Sequence, residues 1–356
     1  MKKLKCLSCV LLGGSLLAVN VLAQDSSAPY KVLDTTQLMG SGGTDYVYAD
    51  NDGRRVYVPR GQNTYVFDLD THKYIGAITN VSGHGVAVDP KTHHGFSSGN
   101  PVDMFDTQTM QKIKNIDVSG RSDGILFEPL TERIYVFSHS EPNVTVIDPT
   151  DGSIVGTIDL GGAPEEARSD GQGHLYVDIE SGNSVAVVDV KAMKVTATYS
   201  LQGKGGGPGG LGLDAKNHIL FVMCHNPATC VIMNAEDGKI LDTLPIHGGT
   251  DGGGFNPNTM EAFSSQGDGT LTIIKENSPT SFAVEQTVQT KPGCRTSSLD
   301  MKNNHIIVIC TERAPQAAAA APVPAPDANP PAGFRRGGRG FFRGGPGNLD
   351  VLFVGR

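Results

Sequence analysis

The stretch Gly53-Arg54-Arg55-Val56-Tyr57-Val58-Pro59-Arg60-Gly61-Gln62-Asn63-Thr64-Tyr65-Val66-Phe67-Asp68 decides the fold. Two short apolar runs flank a Gly-containing turn, which reads as a β-hairpin. Its second run, Tyr65-Val66-Phe67-Asp68, is an apolar strand ending in an acid. The signature returns as Asp103-Met104-Phe105-Asp106, Thr145-Val146-Ile147-Asp148, Ala186-Val187-Val188-Asp189 and Val231-Ile232-Met233-Asn234. Thr272-Ile273-Ile274-Lys275 is a degenerate sixth copy. Successive copies end 38, 42, 41, 45 and 41 positions apart, so the chain is a repeat with a period near 42.

A second strand precedes each copy, as in Arg133-Ile134-Tyr135-Val136 and His174-Leu175-Tyr176-Val177, with a polar turn such as Asp170-Gly171-Gln172-Gly173 before it. Another strand follows each acid, as in Lys73-Tyr74-Ile75-Gly76-Ala77-Ile78. Four short strands per unit, punctuated by Gly, Asp and Pro, describe a propeller blade. The seventh unit has its second strand at His305 to Thr311 and its third at Leu349 to Val354, where the chain ends. The missing outer strand is expected from Tyr30 to Thr36, at the other terminus. The expected fold is therefore an all-β, seven-bladed β-propeller, closed when the N-terminal strand completes the C-terminal blade. An open linear array of β-units is the alternative, and it would leave the terminal strands with unpaired edges.

Units such as Gly53-Arg54-Arg55-Val56-Tyr57-Val58 followed by Tyr65-Val66-Phe67-Asp68 resemble the YVTN-repeat β-propeller family, and the chain as a whole is similar to its YncE-like members. The resemblance covers roughly residues 30 to 313 and 348 to 356. It implies a fold more than an activity, because the repeated residues are mainly structural. The second and sixth units depart from it, with Gly95-Phe96-Ser97 and Ala262-Phe263-Ser264 replacing the Tyr-Val pair. Residues 314–347 break the period: Ala/Pro-rich, then Gly/Arg-rich, they read as a disordered insertion carrying Arg335, Arg336, Arg339 and Arg343.

Composition narrows the class. Glycine is abundant at 45 residues and tryptophan is absent, while charged residues are 19% and hydrophobic ones 38%. That balance excludes a disordered chain and a multi-span membrane protein, and the scarcity of Ala, Glu, Leu and Lys runs argues against a coiled coil. Lys2, Lys3 and Lys5 precede the apolar run Val10 to Leu22 and a small-residue end at Ala23, the pattern of a cleaved secretory signal over 1–23. A single propeller domain over 24–356 follows, without a membrane span and expected to be a monomer. The protein is expected to be exported, to the periplasm or the extracellular space. Removal of three lysines and no acid takes the formal charge from −8 to −11, which argues against nucleic acid as a partner. Cys224, Cys230, Cys294 and Cys310 remain after the expected cut, and an even count in an exported chain suggests disulfides. Hairpin positions favour Cys294 with Cys310, about the Lys302-Asn303 turn, and Cys224 with Cys230, about Pro227.

Aligning the blades on the residue that opens the first hairpin turn gives Asp50, Asp89, Glu128, Asp170, Asp214, Asn256 and Asp300. Five positions earlier stand Asp45, His84, Asp123, Glu165, Gly209, Asp251 and Arg295. Six of these seven are ionisable. Each begins an innermost strand, so together they are expected to ring one mouth of the axial channel. Crowded carboxylates repel, so at least one pKa is expected to rise unless a metal or Arg295 neutralises them. The ring reads as a site for a basic or polyhydroxylated ligand, or for a divalent cation on Asp45, His84, Asp123, Glu165 and Asp251. Oxygen-rich ligation favours Ca²⁺ over Zn²⁺. A wet channel that binds only water is the alternative. Loops after the second strands bring Arg60, His139, Glu141, Glu180, His225 and Asp268 to the same face. The run Gly205 to Gly210 lacks the Lys-Ser/Thr of a phosphate loop and is read as allowing close backbone approach at the axis.

These readings converge on an exported binding module that presents an acidic axial mouth to a small ligand or a protein partner, with no catalysis assumed. A lactonase-like, metal-dependent hydrolase and a cell-surface or structural interaction protein are the alternatives. The chain has no Gly-x-Ser-x-Gly elbow.

Overall fold

Alternation along one strand shows how the units stack. In Arg55–Arg60, Val56 and Val58 face one way and Tyr57 the other. Val56 and Val58 pack with Phe67 against Ile307, Ile309, Val351 and Phe353. Tyr57 and Val66 pack against Val86, Val88 and Phe105. Both faces of a blade are buried against its neighbours, which is why its central strands read as near-continuous apolar runs. Each such side chain stabilises the stack by roughly 1.5–3 kcal/mol.

A computed structural model describes residues 28–313 and 346–356. They form seven four-stranded antiparallel sheets, and among them the one helical segment is a 3-10 turn at Glu180–Gly182. The inner strands are Tyr48–Asp50, Val86–Asp89, Ser122–Glu128, Pro164–Ser169, Pro208–Asp214, Thr250–Asn256 and Thr296–Asp300. Each touches the next, and the last touches the first, so the disc is a closed seven-bladed propeller. The expected signal, residues 1–23, lies outside the described residues. So do residues 314–345 of the expected insertion, with Arg335, Arg336, Arg339 and Arg343. The third strand of the seventh blade begins at Gly347, two residues earlier than the pattern suggested.

Closure joins the two ends as expected. Lys31–Gly40 pairs antiparallel with Gly347–Gly355, with Val32 opposite Val354 and Asp34 opposite Phe353 across a bulge. Arg356 locks one end: its guanidinium donates to Ala28 O at 2.9 Å and Glu261 at 2.6 Å and lies 4.4 Å from the Tyr30 ring centroid. The Tyr30 hydroxyl donates to the same Glu261 at 2.6 Å. Arg60 locks the other end. Expected at the mouth, it is instead buried, and it donates to Leu38 O, Gly42 O and Gly347 O at 3.2, 3.1 and 2.9 Å.

The turn-opening residues have a shared role. Asp89, Glu128, Asp170, Asp214, Asn256 and Asp300 each accept the amide of the residue two positions on, at 2.7–3.1 Å, and Asp50 accepts that of Gly53 at 2.9 Å. The strand-ending acids do the same, Asp68 for Asp70 and Asp189 for Lys191. The repeated acid is thus a turn-closing acceptor. Where it is lost, at Lys275, the strand runs on to Ser278. The departure at Gly95 also has a steric reason. A Cβ there would stand 2.2 Å from the ring of Phe105, the residue paired with it on the third strand, while Phe96 takes the tyrosine position.

One disulfide, Cys294–Cys310, links the start of the seventh blade to its second strand. The expected Cys224–Cys230 bond is not formed, and both thiols are free and buried. The hairpin pairs Cys224 with Thr229 and Met223 with Cys230. That one-residue offset sends the two sulfurs to opposite faces of the sheet, into separate cores.

Candidate functional site

The inner strands of the third to sixth blades each slip register at the mouth. The shifts lie between Ser122 and Ile125, Pro164 and Ala167, Pro208 and Gly210, and Thr250 and Gly252. Asp123, Glu165, Gly209 and Asp251 therefore sit in bulges, where a side chain is re-aimed out of the pleat. Asp45, His84 and Arg295 lie just before their strands.

All six ionisable ring residues are brought together, and a seventh joins them. Asp251 Oδ2 meets Arg295 Nη1 at 2.9 Å, and Arg295 Nη2 reaches Asp45 Oδ1 at 3.6 Å. Asp45 Oδ2 contacts His84 Nδ1 at 2.7 Å, and the same nitrogen lies 3.1 Å from Asp123 Oδ1. Asp123 Oδ2 meets His139 Nε2 at 2.9 Å, and that nitrogen lies 3.4 Å from Glu165 Oε2. Acid and base alternate from Asp251 to Glu165. His139, expected only on a nearby loop, is inserted between two ring carboxylates.

The remaining loop residues behave differently. At Gly209 the His225 imidazole occupies the space of the missing side chain, since a Cβ there would be 2.6 Å from His225 Nε2. Asp268 stands 3.2 Å from His247, and Glu180 adds its charge near Glu165.

The network divides the titrations. Burial opposes a charge on His84, but the Asp45 hydrogen bond and the Asp123 charge prevail, and its pKa rises. Hydrogen bonds from His139 to Asp123 and Glu165 lift its own pKa to about 10. Burial also opposes the Asp123 charge, yet its bond to His139 and both imidazoles hold it below the ordinary carboxylate range. Glu165 moves up, because burial outweighs its contact with His139. The expected upward shift is thus found at Glu165, and the two histidines relieve the crowding together with Arg295.

Below the ring lies a channel cavity of about 360 Å³, lined by six blades. It runs from Tyr46 and Glu165 at the mouth to Asn51 and Met301 at the opposite face. The inner strand of the fifth blade instead closes on the sixth. A Cβ at Gly210 would meet Gly252 backbone at 2.8 Å and one at Gly212 would meet Gly254 O at 2.7 Å, the close approach expected of the glycine run. Within the channel, Glu166 accepts the amides of Leu211 and Gly253 at 2.8 and 3.1 Å and is held by Arg168. Tyr46 lies among the ring, its pKa driven well up by burial and then by Asp123 and Glu165. Sequence reading missed Glu166 and Arg168, although two positions apart in a strand they share a face. It also missed Asp178, whose buried carboxylate is pushed well up by burial and by Glu166.

No family model matches this chain, and no curated protein resembles it significantly in sequence. Solved structures do resemble it in shape. A chain of the mitotic checkpoint complex superposes with a TM-score of 0.68 at 15% identity, covering 82% of this chain and 96% of that one. U3-55K superposes at 0.65 and 11% identity, covering 79% and 92%. The WD40 repeats of RRP9 superpose at 0.69 and 10% identity, covering 92% and 100%. At these identities the likeness establishes the architecture: this chain is a seven-bladed β-propeller with WD40-repeat propellers among its neighbours in shape.

Proposed function

We propose that this protein is an exported binding module of the YVTN-repeat, YncE-like kind. It takes a basic or polyhydroxylated ligand, or a basic segment of a protein partner, at the mouth formed by Asp45, His84, Asp123, Glu165, Asp251 and Arg295. One observation carries the reading. Six blades each deliver an ionisable side chain to the same end of the channel, and with His139 the acids outnumber the bases four to three. Propellers commonly serve as interaction modules, and a neighbour in shape comes from a multi-protein assembly, the mitotic checkpoint complex. Export rests on the apolar run Val10 to Leu22 behind three lysines.

The test is a thermal-shift panel of polyamines, basic peptides and oligosaccharides on the protein from residue 24 onward, in EDTA. At least one class should raise the melting point by mass action. The shift should vanish in the Asp45→Asn/Asp251→Asn variant. Equal shifts in both proteins, or none across the panel, would refute the mouth as the site. A lactonase-like hydrolase is the second reading, favoured by the imidazole–carboxylate groups of the ring. Lactone hydrolysis that needs added metal and is lost in Asp123→Ala would establish it.

A further inference from the structure

Asp123 divides its two oxygens between two histidines. Oδ1 faces His84 Nδ1 at 3.1 Å and Oδ2 faces His139 Nε2 at 2.9 Å. Each imidazole nitrogen is also approached by a second carboxylate, Asp45 Oδ2 at 2.7 Å and Glu165 Oε2 at 3.4 Å. The result is two donor triads, Asp45/His84/Asp123 and Asp123/His139/Glu165, that share one aspartate. A tetrahedral ion with bonds of about 2.0 to 2.1 Å spaces its donors about 3.3 Å apart, close to the separations found here. A carboxylate that uses both oxygens is also the usual bridge between metals about 3.5 to 4 Å apart.

The geometry points to a dinuclear centre: two divalent transition-metal ions, one on Asp45, His84 and Asp123 and the other on Asp123, His139 and Glu165, with Asp123 bridging them. The ligand set explains the choice of metal. Ca²⁺ takes six to eight oxygens, whereas each triad here offers one imidazole nitrogen and two oxygens, the mixture that suits Zn²⁺. Outer contacts support the first triad. Arg295 holds the other Asp45 oxygen and is itself fixed by Asp251, so Oδ2 remains aimed at the triad. With three protein donors, each ion keeps an open position. Adjacent hydroxyls of a polyhydroxylated ligand fit such a pair of positions. This inference therefore rests on the mouth being a ligand site and narrows which ligand it takes.

Equilibrium dialysis against ZnCl₂ followed by elemental analysis tests it, on the protein from residue 24 onward. Two Zn²⁺ per chain are expected, one in Asp45→Asn, one in Glu165→Gln and none in Asp123→Asn. His247→Ala, which removes an exposed imidazole beside Asp268, should keep two. At most one ion in the unaltered protein, or two retained in Asp123→Asn, would overturn the proposal. Circular dichroism first checks that each variant folds. Should Asp123→Asn not fold, loading the unaltered protein with Co²⁺ decides the matter. Magnetic coupling between the two ions by electron paramagnetic resonance is expected, and two uncoupled ions would overturn the bridge. The EDTA panel described above tests the mouth without metal, so a metal count below two leaves a shift seen there standing. Repeating its oligosaccharide arm with ZnCl₂ in place of EDTA should enlarge that shift if the open positions take hydroxyls.

Discussion

Arg60 offers the sharpest test of how the disc is sealed. Its side chain is 2% exposed, and its three nitrogens reach carbonyls on three separate segments. Leu38 lies on the N-terminal strand, Gly42 on the link into the first blade, and Gly347 at the start of the C-terminal strand. Burial pulls the Arg60 pKa below its ordinary value, so the site resists the charge that these carbonyls hold. Arg60→Met keeps much of the volume and removes every donor. Three hydrogen bonds from a charged group are together worth roughly 5–9 kcal/mol. Relief of guanidinium desolvation returns several kcal/mol of that. A net loss of about 3 kcal/mol follows, or about 5 °C in the melting point for a domain of this size. Arg60→Lys should recover only part of it, because one ammonium cannot span three carbonyls. Thermal melts give the loss, and amide exchange should rise first in Lys31–Gly40. A change under about 1 kcal/mol, with exchange of that strand unaltered, would refute Arg60 as the closing lock.

Other outcomes follow from single contacts. Alkylation without reductant should tag Cys224 and Cys230 only after unfolding, since both are buried and burial lifts the Cys224 thiol to about 12; two further reactive thiols from Cys294 and Cys310 would contradict the bond. Replacing Cys294 and Cys310 by serine should cost about 3 kcal/mol in urea unfolding, the loop-closure value for a bridge spanning 16 positions. Burial, then the nearby charge of Asp214, raises the Glu276 pKa to about 7, with the Asn217 amide opposing. A folded-state pKa above the unfolded one means that stability falls as pH rises from the unfolded value near 4.5 through about 7. Glu276→Gln should flatten that slope in pH-dependent melts, and an unchanged slope would exclude Glu276 as its source. Gly210→Ala should destabilise by more than about 2 kcal/mol, because its Cβ meets Gly252 backbone, while Gly248→Ala, in open space, should stay within about 1 kcal/mol. Equal melting points for these two variants would refute the tight seam between the fifth and sixth blades.

The sequence made the ring legible because a propeller repeats a position as well as a strand. Counting five residues back from the turn-closing acid, or from Asn256 in the sixth blade, finds the mouth in every blade, since that side chain accepts a turn amide in each. What counting could not find was direction. Arg60 and His139 both stand at the end of a second strand. Arg60 turns into the sealing strands and His139 turns into the axis, because only Arg60 has the two chain ends beside it. The bulges at Asp123, Glu165 and Asp251 were equally hidden, for a register slip leaves no composition signal. The cysteines failed for a related reason. A midpoint at Pro227 ignored the one-residue offset that pairs Cys224 with Thr229, and a single step in a strand reverses the face. Glu166 and Arg168 could have been seen, since a charged pair at alternate positions in a central strand has no place between blades and must face the axis.

That contrast also bears on what the mouth is for. Residues that hold the blades together are buried between sheets, such as Val58, Phe105 and Phe353, or close turns, such as Asp89 and Asp300. The side chains of Asp251, Arg295, Asp45, His84, Asp123, His139 and Glu165 form their ion pairs with one another at the rim. Stacking seven blades requires one residue at each such position, but it does not require an alternation of acid and base there. A glycine serves the fifth blade, where His225 takes the vacant space. If the alternation served stability, single mouth substitutions would resemble Arg60→Met in melts. If it serves binding, Asp251→Asn should melt within about 1 kcal/mol of the unaltered protein, as its partner Arg295 is exposed and solvent screens the pair, while losing the ligand-induced shift. A large stability loss at Asp251 would assign the ring to the fold instead.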